Sequence, residues 1–114
     1  MTHELKLQPG PFDAIKAGTK TIECRLCDEK RQQIQIGDTL IFKRAPELEE
    51  SVTAEVTGLL RYPTFSDLFA DFPPEIFGGE SIAGLEELIY RFYSKEDEAK
   101  FGVLGIQIKL IVQE

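Results

Sequence analysis

The chain has no tryptophan, one histidine, one methionine and two cysteines. A structural zinc site takes four ligands, and two thiols with His3 fall short of that number. Cys24 and Cys27 form a C-x-x-C, but in an extended strand they stand roughly 10 Å apart, beyond the reach of a disulfide. No helix start follows them, as a redox-active pair of the thioredoxin kind requires. Cys24 therefore reads as core and Cys27 as a strand-end residue, and neither a metal nor a cofactor is expected. No apolar run approaches the roughly 20 residues of a membrane span, and the polar start MTHELK is no secretory signal. A cytoplasmic protein without a membrane partner is the expectation. Positive charge is also scarce, with 13 Lys and Arg against 20 Asp and Glu and a net charge of −7. That excludes broad, salt-driven binding to nucleic acid, which needs a basic surface. At 114 residues the chain can hold one core and is read as a single domain over 1–114. Nothing in it fixes an oligomeric state.

The charge that is present lies unevenly. Residues 1–44 hold 8 Lys and Arg against 6 Asp and Glu, or +2, which leaves −9 for residues 45–114. An anionic group would therefore be met by the N-terminal part. Within it, AGTKTIECR (Ala17 to Arg25) carries the densest chemistry. Gly18 closes a short helix, and from Thr21 the pattern alternates strictly, Ile22 and Cys24 apolar, Thr21, Glu23 and Arg25 polar. Alternate strand residues face opposite sides, so one side feeds a core and the other shows Thr, Glu and Arg in a row. Lys20 stands at the strand's entrance, where a bend would bring its ammonium over the same row. The competing reading is an exposed face with nearly neutral Glu–Arg pairing. If the row lines a cleft, Lys20→Ala and Arg25→Ala are expected to weaken a ligand while leaving stability within about 0.5 kcal/mol, since both lie on the polar face.

The rest of the chain reads as short elements around that stretch. His3 to Leu7 alternates as a strand, Pro11 suits the first turn of a helix that ends at Gly18, and the next strand runs from Thr19 to Leu26. Gly37-Asp38 turns the chain into a strand from Thr39 to Arg44, and Ser51 to Arg61 forms a longer one, with Gly58 marking a bulge. Thr64 or Ser66 caps a helix carrying Phe65, Leu68, Phe69 and Phe72. Ile82, Leu85, Leu88, Ile89 and Phe92 lie on one face of a helix ending near Tyr93. Ser94 opens another helix, Gly102 stops it, and Val103 to Val112 is the last strand. These pieces make an α+β domain: a small, mostly antiparallel barrel with short flanking helices.

The sequence resembles the ASCH domain, a branch of the PUA-like superfamily. The resemblance runs through FDAIKAGTKTIECR, IGDTLIF and YSKEDEAKFGVLGIQI. Its most specific part is a G-x-K-T-x-E-x-R pattern, here Gly18, Lys20, Thr21, Glu23 and Arg25. It implies a mixed PUA-like barrel of about five to six strands, with a cleft that binds RNA or a modified nucleoside. Lys20, Thr21, Glu23 and Arg25 would bind the ligand, with Glu75 or Glu80 on the opposite wall. Arg25 offers a planar fork and Lys20 a point charge, while Glu23 would accept from an exocyclic amine. Aromatic residues between Leu60 and Phe77 would supply a stacking surface, set against their reading as core.

One bacterial branch of similar domains removes the acetyl group from N4-acetylcytidine through a lysine, a threonine and a glutamate. Its lysine corresponds to Lys20, and its glutamate to Glu80 or, next, Glu75. Its threonine position is occupied here by Glu23. Thr21 shares that strand face but lies roughly 7 Å away, too far to replace a nucleophile. A metal-independent amidohydrolase would have to work through Lys20, Glu23 and Glu80 on a water molecule. Three functions thus stand side by side: an RNA- or nucleoside-binding domain, a small amidohydrolase, and a protein-interaction module using the acidic face of residues 45–114.

Overall fold

The alternating segments pair into one five-stranded sheet, described over residues 1–111 by a computed structural model. Its strands are β1 (Thr2–Leu7), β2 (Ile22–Leu26), β3 (Thr39–Arg44), β4 (Ser51–Tyr62) and β5 (Val103–Leu110). The helices are α1 (Pro9–Lys16), α2 (Phe65–Ala70), α3 (Ile82–Ile89) and α4 (Lys95–Phe101), with 3-10 turns at Arg31–Gln33 and Pro74–Phe77. The strands lie in the order β1-β3-β4-β5-β2. β1 runs parallel to β3, and the other neighbours are antiparallel. The sheet curls into a half-barrel whose two free edges are β1 and β2. The α+β class and the small, mostly antiparallel barrel with short flanking helices hold, with five strands and an open seam.

Both sides of the sheet are apolar because two cores use it. Leu5, Phe12, Ile15, Leu40, Phe42 and Ile106 belong to the first. On the other side Ile22, Cys24 and Leu26 of β2 pack with Phe65, Leu68 and Phe69 of α2. The apolar parity of β2 therefore falls where alternation puts it. Three hydroxyls start the helices over this second core: Thr64 Oγ1 accepts from the Asp67 N–H at 3.0 Å, Ser81 Oγ from Gly84 at 3.0 Å and Ser94 Oγ from Asp97 at 3.1 Å. Each satisfies a first-turn donor that the helix cannot, and Thr64 rather than Ser66 caps α2. The bulge also lies where Gly58 marks it, with the β4–β5 register shifting between Val56 and Gly58. A Cβ at Gly58 would stand 2.0 Å from Gln107 Oε1, so a side chain there would make the flexible Gln107 turn aside.

The boundaries of β2 and α3 differ from the sequence reading. β2 begins at Ile22 rather than Thr19, because the Thr19 and Lys20 N–H groups both bond the Ala14 carbonyl at 3.1 Å and wrap the end of α1. Helix α3 stops at Ile89, and Phe92 and Tyr93 follow in turns bonded to the Ile89 carbonyl. The expected strand end at Val112 lies outside the described residues. Ile22, 2% exposed in the second core, supplies a direct test of the packing. Ile22→Ala is expected to cost on the order of 2–5 kcal/mol, and Ser94→Ala about 1 kcal/mol, in urea denaturation. A loss below 0.5 kcal/mol for Ile22→Ala would contradict the burial.

Candidate functional site

The open seam between β1 and β2 is crossed by charge. Gly18, at φ +83, ends α1 in the left-handed region, and the chain folds back so that Lys20 enters the seam just before β2. Lys20 Nζ donates to Glu23 Oε1 at 2.9 Å, and the Cys24 N–H donates to the same oxygen at 3.0 Å. Arg25 grips the other oxygen with Nε at 3.2 Å and Nη2 at 3.0 Å. Arg25 Nη2 also donates to the Lys6 carbonyl of β1 at 2.9 Å. The guanidinium thus ties one free edge of the half-barrel to the other.

Glu23 accepts four hydrogen bonds, two on each oxygen, which fills the roughly four lone-pair sites of a carboxylate. Burial alone would push its carboxyl up. The charges of Lys20 and Arg25, with their hydrogen bonds, outweigh it and hold the group at about 2. For Arg25 burial pulls downward, but the Glu23 charge, followed by the adjoining Tyr93 hydroxyl, raises it further. Burial drives the Cys24 thiol up to about 12, so at neutral pH it is an inert wall rather than a nucleophile.

Above the triad opens a cleft of about 730 Å³, within the usual range for small-molecule sites. Lys20, Glu23 and Arg25 form its floor, and Phe69, Phe77, Leu85 and Tyr93 are among its apolar walls. The wall presses closely on the floor at Gly78, φ +84, where a Cβ would come within 3.2 Å of Lys20 Cδ. Leu88 and Phe92 stand at the mouth, 41% and 57% exposed, and Glu80 lines it as well.

The polar row of β2 is therefore not a solvated face: Glu23 and Arg25 lie opposite Ile106 and Leu104 of the first core, and Arg25 reaches the Lys6 carbonyl of β1 across the seam. Lys20 is 7% and Glu23 3% exposed, which overturns the expectation of near-neutral Lys20→Ala and Arg25→Ala substitutions. The fold brings Lys20, Glu23, Arg25 and Glu80 together around the cleft but not Thr21 or Glu75, which are exposed and outside its lining. The Thr21 backbone is spent on structure: its N–H bonds the Ile76 carbonyl and its carbonyl accepts from Ile108. Glu75 sits exposed in the first turn of the Pro74–Phe77 segment, and Glu80, after the Gly78-Gly79 bend, lines the cleft. Of the aromatic residues between Leu60 and Phe77, Phe69 and Phe77 reach the cleft. Phe92 and Tyr93 were not anticipated there, because the stripe they continue on α3 reads as core.

Removing the hub leaves two buried cations without their counter-charge. Glu23→Gln is expected to cost on the order of 3–5 kcal/mol in urea denaturation. Because Glu23 titrates below its ordinary 4.5, its contribution is complete above that pH and is lost as the pH falls toward 2. Stability measured between pH 5 and 2 should fall less steeply in Glu23→Gln than in the natural protein. Equal slopes would contradict the pairing.

Comparison with known proteins gives a family match and several structures. The model of the ASCH domain matches residues 5–112. A crystal structure of hypothetical protein PH0355 is 36% identical, with a TM-score of 0.86, 97% of this chain and 100% of that one being covered. The solution structure of protein PF0455 from Pyrococcus furiosus is 30% identical, with a TM-score of 0.76 over 99% of this chain and 100% of that one. An ASCH domain structure from Lactobacillus crispatus, 20% identical with a TM-score of 0.65, covers 88% of this chain and 69% of its own, and shares the fold. No curated protein matches the chain.

Proposed function

This chain belongs to the ASCH domain family, and on that premise we propose that its cleft binds a nucleobase-containing ligand, a modified nucleoside or a single base of an RNA strand. ASCH domains are generally RNA-associated, which supports that ligand class. The observation that carries the reading is the pairing of a charged floor with aromatic walls in one cleft of about 730 Å³. Hydrogen-bond donors at depth suit the edge of a base, and Phe69, Phe77, Phe92 and Tyr93 suit its faces. The net charge of −7 fits a single bound base better than a long phosphate track.

Hydrolysis of an acylated cytidine-type nucleoside is the second reading, supported by Lys20 and Glu80 lining the same cleft. It lacks a base at the floor: Glu23, held at about 2 with every lone pair engaged, has no site for a water proton. Glu23 is a positioning residue in this arrangement, and Glu80 would have to act alone.

Nucleosides and short single-stranded oligonucleotides, titrated into the labelled protein, are expected to shift backbone NMR signals around Lys20, Arg25 and Phe92. Phe92→Ala, at an exposed position, should leave stability nearly unchanged while weakening binding by about 1–3 kcal/mol, the range for a stacked base. Incubation with N4-acetylcytidine is expected to release no cytidine. Absence of any shift with every nucleoside and oligonucleotide would remove the binding reading, and steady metal-free turnover would put hydrolysis first.

A further inference from the structure

The saturation of Glu23 has a consequence for which base the cleft takes. Among the described residues Lys20 Nζ gives one of its three hydrogens to Glu23. Arg25 spends Nε and Nη2 on Glu23 and the Lys6 carbonyl, which leaves its Nη1 hydrogens, and the Tyr93 hydroxyl adjoins the guanidinium. The carboxylate that would balance these donors has no lone pair left. Lys20, Glu23 and Arg25 therefore offer hydrogens and take none, while the acceptors of Gln8, Glu80 and Ser81 in the lining belong to exposed residues and the Tyr93 hydroxyl adjoins Arg25.

Resting on the nucleobase reading, we propose that the cleft selects bases carrying two adjacent acceptors and no donor between them. Guanine has such a pair in O6 and N7, and cytosine in O2 and N3. Adenine has no adjacent acceptor pair, and uracil sets the N3–H donor between O2 and O4. A donor pressed against the floor would meet a lysine or arginine hydrogen and stay unpaired, which is the costly outcome for a buried polar group. The remaining hydrogens of Arg25 Nη1 and of Lys20 are donors of the kind that read the O6 and N7 acceptors of guanine. The exclusion is steep because the floor cannot adjust. Glu23 cannot turn to accept without releasing Lys20, Arg25 and the Cys24 N–H together.

The test changes the ligand and leaves the protein intact, so no variant has to fold. Guanosine, cytidine, adenosine and uridine are titrated into the natural protein by calorimetry, with 7-deazaguanosine and 3-deazacytidine as analogues lacking one acceptor each. Inorganic phosphate and benzoate serve as plain anions. Guanosine and cytidine are expected to bind at least about tenfold tighter than adenosine and uridine, and each deaza analogue to lose about tenfold. Equal affinity for all four nucleosides would overturn the selectivity while leaving the nucleobase reading in place. Binding of phosphate or benzoate with no binding of any nucleoside would overturn both, making the floor an anion site.

Discussion

Four hydrogen bonds on one buried carboxylate hold this molecule's two edges in register. Glu23 gathers Lys20 from the end of α1, Arg25 from β2 and a backbone N–H from the sheet's own free edge. Through Arg25 the cluster reaches the Lys6 carbonyl, so the strand most distant from β2 in sheet order is fixed beside it. An open half-barrel exposes unpaired backbone groups along both edge strands, which invites pairing with other chains. Here part of that edge is satisfied from within. A buried ion cluster of this kind is weak as a source of net stability, since desolvation offsets most of the attraction. Its effect lies in geometry: two cations are placed at the base of a cleft, and neither can move without uncovering the other.

The second core explains why the cleft stays open above them. Phe65 stacks with Phe69 and Tyr93, and Phe69 and Phe72 both pack edge-on against Phe77. The buried Glu98 accepts from the Phe65 N–H at 2.9 Å and the Tyr90 hydroxyl at 2.6 Å, linking α2, the end of α3 and α4. With these groups anchored, α3 keeps no fully buried residue of its own and lies as a wall rather than a plug. Its apolar stripe faces the cleft, and Leu88 and Phe92 at the mouth remain partly wet. Apolar surface left in that position is what a ligand with a flat, weakly polar face would cover.

Much of this could be read from the sequence because local rules and the fold agree. Alternation placed Ile22 and Cys24 toward a core, Gly58 marked the bulge, and Thr64 and Ser94 marked helix starts; each is decided within a few residues. The burial of Lys20 and Glu23 was not legible, because alternation gives the parity of a strand and not what lies over either side. That cover comes from the curl of the sheet, which sets β1 beside β2, and from the bend at Gly78 against Lys20, and charged residues alternating with apolar ones look the same wet or dry. The choice between Glu75 and Glu80 turned on the left-handed bend at Gly78, and Phe92 was hidden because a stripe lining a cleft has the same period as one filling a core.

The electrostatics of the site run against those of the whole chain, and the contrast bears on the size of the ligand. Two cations and one carboxylate leave the floor at +1 within a chain of −7. At physiological salt the field of each surface charge fades over about 8 Å, so the acidic exterior acts on whatever approaches and the floor on what has already entered. A polyphosphate chain feels repulsion along its length and gains at one point. A neutral nucleoside, or one base turned out of a short strand, feels little on approach and meets its hydrogen bonds inside a largely apolar cleft, where they weigh more than in water. On the nucleobase reading, recognition would then rest on short-range donor and acceptor matching inside the cleft.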